Sequence, residues 1–324
     1  MNRPPLKTYS HLATERRMPS EYDIATTQLL YYVAKGGFEV RTPVGNWYER
    51  YQQGSGLRAT TAQWARFRDP RETTYTSYTG LQKRQEEHLD TIMQARDDGC
   101  MDCRRLSPEW LTLLSTVLTP QRYLFHGFQM VAAYIGQMAP EGRIVITAGL
   151  QAADEVRRVQ RIAYRMAQLR KTEASFGQES AGTWQSHPAW QPIRCLVERA
   201  LVTYDWGEAL VSLNVCIKPA LESLFGPFLG RLAERQGDYV LHEMTASFAR
   251  DCAWHRDWTL SLLRVAYEAR EENRTQVARW MDRWSKMVDE AIVGTAPLFG
   301  EDGEAAIATA RAAASAVSKE VMPP

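Results

Sequence analysis

From about residue 81 onward, apolar side chains return every three to four positions in long blocks, the period of amphipathic helices, and short breaks separate the blocks. Ser107-Pro108-Glu109 supplies a capping serine, a proline suited to a first helical turn and an early carboxylate, and Thr119-Pro120 repeats the device. The block QRYLFHGFQMVAAYIGQMA stops before Pro140. Further helices are expected over 141–171, 193–204, 205–225, 239–271, 275–293 and 304–319, the last of them alanine-rich. The pattern predicts an all-α fold in which several helices are long enough to cross a whole bundle.

The first eighty residues lack this period. They are rich in Tyr, Arg and Pro, with clusters such as Asn46-Trp47-Tyr48-Glu49-Arg50-Tyr51. Residues 1–80 therefore read as an extended N-terminal arm, and 81–324 as a helical domain with C-terminal helices. A short strand over 38–41 would have no evident partner.

Two helical blocks carry related motifs 97 residues apart, Asp154-Glu155-Val156-Arg157-Arg158 and Asp251-Cys252-Ala253-Trp254-His255. The offset suggests two helical hairpins forming a ferritin-like bundle. Such bundles hold two metals with one carboxylate from each of two helices and a Glu-x-x-His pair from each of the others. Here Glu155 is present but Arg158 stands at the histidine position, and His255 is present but Cys252 stands at the glutamate position. A guanidinium has no lone pair to donate and repels a cation.

The lone carboxylates are missing as well. Between Trp110 and Pro140 there is no Asp or Glu, and the helix offers Gln129 and Gln137 at best. The segment LVSLNVCIKPAL carries Asn214 and Lys218, with Glu208 and Glu222 toward the ends of its helix. Neutral amides and a lysine cannot neutralise two hard cations, so no di-metal centre is expected. An acid and a base three residues apart are common on solvated helix faces, where such a pair contributes about 0.2–0.5 kcal/mol. Taken alone the pair reads as such a surface bridge; the apolar neighbours Ala148, Ala152, Ile162 and Met166 leave partial burial open, and if Glu155 is buried it needs a partner, for which Arg158, Lys218 and His255 are the candidates.

Composition narrows the function classes. A 324-residue chain that is 44% hydrophobic and 24% charged buries a substantial core, and a net charge of +1 gives no bias toward nucleic acid or an anionic membrane. The N-terminus lacks a signal-peptide apolar region and the longest apolar runs fall short of a membrane span, which points to the cytoplasm. Five scattered cysteines fit reduced thiols; Cys100-Met101-Asp102-Cys103 has neither a second ligand pair for zinc nor a βαβ setting for redox work. Trp254/Trp258 and Trp280/Trp284 read as packing ridges, and His126 as a core or interface residue. Ten tryptophans and fourteen tyrosines fit an aromatic core or a protein interface.

Long ordered segments, TYSHLATERRMPSEYDI, RYLFHGFQM followed by AYIGQMAP, DWGEALVSLN with IKP behind it, and RDCAWHRDW, resemble the β subunit of the hydroxylase component of bacterial multicomponent monooxygenases, in the toluene, phenol and alkene-oxidising branch. The resemblance is weaker over 40–80 and after about residue 293. It implies a ferritin-like subunit without metal beside an α subunit that carries the di-iron centre, with γ subunits, an effector protein, and ferredoxin and reductase components delivering electrons from NADH. Tyr9, His11, Tyr22, Tyr31 and Tyr32 of the arm are the candidate contacts with partner subunits. A single-chain di-metal oxidase with unusual ligands and a stand-alone helical adaptor are the competing readings.

Overall fold

The computed structural model describes residues 19–26, 43–99 and 106–322, and among them there is no strand. The segment 38–41, the Cys100/Cys103 pair, Tyr9, His11, Tyr31 and Tyr32 lie outside the described residues.

Among the described residues nine principal helices build the fold: α1 (Tyr75–Gly99), α2 (Pro108–Val117), α3 (Gln121–Met138), α4 (Gly142–Leu169), α5 (Gln191–Leu201), α6 (Trp206–Arg235), α7 (Tyr239–Ala269), α8 (Glu271–Thr295) and α9 (Gly303–Val321). Capping chemistry sets most of their starts. Ser107 accepts from the Trp110 N–H at 3.1 Å, Glu141 from that of Arg143 at 2.7 Å, and Asp238 from that of Leu241 at 3.1 Å. α1 begins at Tyr75, ahead of the expected residue 81, because Thr74 and Ser77 exchange backbone and side-chain bonds of 2.9 and 3.2 Å.

The core is a bundle of α3, α4, α6 and α7, with α1 across one side and α8 and α9 across the other. α3 and α4 form a close hairpin. A Cβ at Gly136 would lie 3.3 Å from the Val145 carbonyl. Where α6 turns back into α7, a Cβ at Gly230 would fall 2.3 Å from Thr245 Oγ1, so that crossing requires glycine.

α6 departs most from expectation. It continues to Arg235 past Pro219 and Pro227, because π turns at Val211–Ile217 and Leu224–Phe228 absorb the hydrogen bonds the prolines cannot make. Glu222, expected near a helix end, therefore sits within the helix. α6 is also long and apolar enough to cross a membrane by length and composition, yet 78% of its apolar window is buried inside the bundle.

Much of the segment expected to extend as an arm is bound to the core. Trp64 packs edge-on against Trp206 at 5.4 Å, and Phe67 against Trp258 at 6.4 Å. Asp205 accepts from the Ser55 hydroxyl at 2.6 Å and the Gly56 N–H at 2.7 Å, and Asn273 bonds both backbone groups of Arg58 at 2.8 Å. Tyr22, in the short helix Glu21–Thr26, is buried within this chain; its hydroxyl accepts from the Asp69 N–H at 3.1 Å, beside the guanidinium groups of Arg68 and Arg143. Trp254, Trp258, Trp280 and Trp284 are all buried, whereas His126 faces outward from α3 rather than into the core.

Candidate functional site

α4 carries Arg143, Arg157, Arg158, Arg161 and Arg165, all buried. An arginine in the interior needs acceptors, and each of these finds carboxylates, amides or carbonyls on neighbouring elements. Two linked clusters result.

The first occupies the bundle centre. Glu155 is fully buried, with the Lys218 ammonium from α6 on one oxygen and Arg158 Nη1 at 3.1 Å from the other. Arg158 Nη1 also reaches Glu222 at 2.9 Å, and Lys218 reaches the same Glu222 oxygen at 2.5 Å. Nη2 of Arg158 lies against the Cys252 sulfur and 3.4 Å from the Phe248 carbonyl. From α3, the rings of Phe125 and Phe128 face Arg158 at 5.2 Å and Lys218 at 5.6 Å.

The second cluster joins α1, α4 and α7. His255 Nε2 meets Asp154 at 2.9 Å, and Asp154 also accepts from the Tyr78 hydroxyl at 2.7 Å and the Gln82 amide at 2.8 Å. The same Gln82 amide reaches Asp251 at 3.1 Å, so one side chain on α1 ties together the corresponding acids of the two related motifs. Asp251 further accepts from Gln85 at 3.0 Å and Arg157 at 2.8 Å, and Arg157 continues to Ser247 at 2.6 Å and Glu86 at 2.5 Å. Further toward the end of α4, Arg165 bonds Asp238 at 2.7 Å, and on the other side of the cluster Gln151, Asn214 and Thr259 form a polar chain with bonds of 2.8 and 2.9 Å.

The electrostatics follow from burial and pairing. Burial alone would lower both cations; the carboxylates of Glu155 and Glu222 push Arg158 well up, with the Cys252 sulfur lying against it, and the same two carboxylates push Lys218 up. Burial would likewise raise Glu222, yet Lys218 and Arg158 hold it at about 2. Burial pushes the Cys252 thiol well up despite Arg158, so it stays protonated. Two acids and two cations cancel, and the centre is neutral as built.

The donor set can be tested against a metal. The ligand atoms of Glu222, Cys252 and His255 lie within 4.8 Å of one another. His255 Nδ1 has no hydrogen-bond partner among the described residues and stands 3.9 Å from Glu155 Oε1. However, Arg158 touches two of the three donors and Lys218 bridges both glutamates. Where the bundle pattern calls for a carboxylate from α3, the two cations meet phenylalanine rings. These residues do not fit a carboxylate-bridged pair of metals.

The four motif residues, Glu155, Arg158, Cys252 and His255, do come together, and Glu155 has Arg158 and Lys218 as direct partners. Sequence reasoning gave no role to Gln82, Asp154 and Asp251, and set Glu222 aside toward a helix end. Asp154 and Asp251 could have been found, since they open the two related motifs.

Fold and site together define a ferritin-like helical protein whose central ligand positions carry a closed ion-pair cluster. Residues 47–270 match the family model for methane/phenol/alkene hydroxylase, and the chain belongs to that family. It is 32% identical over 305 residues to the hydroxylase component subunit beta of the toluene-4-monooxygenase system of Ectopseudomonas mendocina, spanning 92% of each chain. It is also 26% identical to the hydroxylase component small subunit of propane 2-monooxygenase from Gordonia sp. (strain TY-5), over 77% of this chain and 69% of the relative. A solved structure of toluene 4-monooxygenase with toluene in its resting active site contains a chain that superposes with a TM-score of 0.84 at 32% identity, covering 92% of this chain and 99% of that one.

Proposed function

We propose that this chain is a metal-free, non-catalytic β subunit of a multicomponent monooxygenase hydroxylase, bracing an α subunit that carries the di-iron centre. The observation that supports this reading is the placement of Arg158 and Lys218 on the carboxylates that a metal pair would need. In this reading α, β and γ subunits form the hydroxylase, and an effector protein docks on it. Ferredoxin and reductase components pass electrons from NADH, and the complex inserts oxygen into aromatic hydrocarbons or alkenes in the cytoplasm. The physical task of the β subunit is rigidity: a reactive oxygen centre has to be held still and dry, and a helix packed on a second bundle moves less than one facing water.

Iron analysis of the purified chain, expected to find none, tests the metal-free part; about two irons per chain, as in di-iron bundles, would restore the single-chain oxidase reading. Co-purification with an α subunit bearing two intact Glu-x-x-His pairs tests the partnership against a stand-alone adaptor. Tyr9, His11, Tyr31 and Tyr32 are proposed as partner contacts, with the buried Tyr22 as the internal anchor between them. Removing residues 1–34 is expected to weaken association with the α subunit, and unchanged association would refute that role for the arm.

A further inference from the structure

Between α6, α7 and α9 a cavity of about 250 Å³ descends to the ion cluster from a rim that includes the exposed Pro227, Arg256 and Ala316. Small side chains make the space: Ser223 and Gly226 on α6, Ala249 and Ala253 on α7, Ala313 and Ala316 on α9. Its walls include Phe125, Phe225, Phe248 and Val317, and its floor includes Glu222, Cys252 and His255. An apolar cavity of roughly 150 Å³ accommodates benzene, so this one has room for a substituted ring.

The polar side of the cavity is selective in a specific way. Arg158 and Lys218 have only 1% and 3% of their side chains exposed, whereas Glu222 has 13%. Arg158, Lys218 and Glu222 all line the cavity, and of these Glu222 has the most exposed side chain. Its charge is already matched by Lys218 at 2.5 Å and Arg158 at 2.9 Å, so a charged ligand of either sign gains little. At the rim, Arg256 is engaged with Glu320 at 3.7 Å.

We infer that this cavity is a binding site for a small neutral molecule with one aromatic ring and one hydroxyl group, of the phenol class. The ring lies among the phenylalanines and the hydroxyl donates to the Glu222 carboxylate. The site does not depend on the chain's serving as a β subunit, because every residue it uses belongs to this chain.

Titration calorimetry of the purified full-length chain with phenol, toluene, benzoate and benzylammonium tests the assignment. Phenol is expected to bind one to one, toluene at least tenfold more weakly, and the two charged compounds more weakly than phenol. Glu222→Gln should erase most of phenol's advantage over toluene. Ala253→Leu and Ala313→Leu, made separately and checked for native helicity, should each weaken phenol at least tenfold by filling the space. No binding of phenol by the wild-type chain, or equal binding of phenol and toluene, would overturn the inference whether or not the variants fold. Undiminished phenol binding in a folded filled variant would do the same.

Discussion

The guanidinium of Arg158 on α4 holds the carboxylate of Glu222 on α6 at 2.9 Å, a contact that joins the two hairpins of the bundle through its centre. Removing one partner of a buried ion pair leaves the other uncompensated, at a cost of about 3–5 kcal/mol. Arg158→Leu is accordingly expected to lower the unfolding free energy by about that amount in urea titrations. Arg158→Met combined with Glu222→Leu should recover much of the loss, since an apolar replacement of both partners is often neutral. A loss below about 1 kcal/mol for the single variant would place the pair among weak surface bridges instead.

Arg158→His restores a Glu-x-x-His spelling to the first motif, yet it is not expected to create iron binding. Lys218 would still hold Glu155 and Glu222, Cys252 would still stand at the second glutamate position, and Phe125 and Phe128 would still face the centre from α3. Iron content after anaerobic reconstitution measures this directly. Stoichiometric iron in the single variant would show that the arginine alone had blocked a competent site.

How much of this was readable beforehand depends on the type of signal. Helix starts at Ser107 and Asp238 follow from local capping, and a buried Glu155 needed a cation wherever the chain placed it. Glu222 was expected toward the end of a helix over 205–225, whereas π turns carry α6 past Pro219 and Pro227 to Arg235. The role of Phe125 and Phe128 against Arg158 and Lys218 depends on how α3 is rotated, which periodicity alone does not report. The bridge from Gln82 to Asp154 and Asp251 joins helices far apart in sequence, so no local pattern marks it.

Asp205 both caps α6, accepting from the N–H groups of Gly207 at 2.8 Å and Glu208 at 3.2 Å, and secures the segment around Ser55 and Gly56. A lost cap costs about 1 kcal/mol and each lost bond to a charged acceptor about 1.5–3 kcal/mol before relaxation. Asp205→Ala is expected to destabilise the chain by about 2–4 kcal/mol and to speed proteolysis between residues 43 and 74. If cleavage there stays at the wild-type rate, the segment is held by Trp64 and Phe67 rather than by Asp205.

The Asp154–His255 pair gives the fold a pH signature whose sign can be worked out. Burial, with the charge of Asp251, pushes Asp154 well above the usual carboxylate range; burial, with Lys218 and Arg158, pushes His255 well below the usual imidazole range. The folded pair therefore keeps one proton between Asp154 Oδ2 and His255 Nε2, which lie 2.9 Å apart. Unfolded, the two groups titrate near their ordinary values of about 3.9 and 6.5, so between those values the unfolded chain also carries one proton and the contribution is level. Above about pH 6.5 the unfolded chain releases that proton, and because the folded Asp154 carboxyl is raised, stability falls with rising pH, by at most about 1.4 kcal/mol per pH unit, until the folded Asp154 itself ionises. Below about pH 3.9 the unfolded chain takes up a second proton and stability falls again. Glu222 adds to the acid loss: although burial would raise it, Lys218 and Arg158 hold it at about 2, so its contribution disappears as pH drops from 4.5 toward that value. Neither group titrates in the variant Asp154→Asn/His255→Gln, so the unfolding free-energy difference between wild type and variant isolates the pair. That difference should stay level from about pH 5 to 6 and then shift against the wild type as pH rises above about 6.5, flattening where the folded Asp154 ionises. A difference that does not change above pH 6.5 would mean that the folded pair gives up its proton there too.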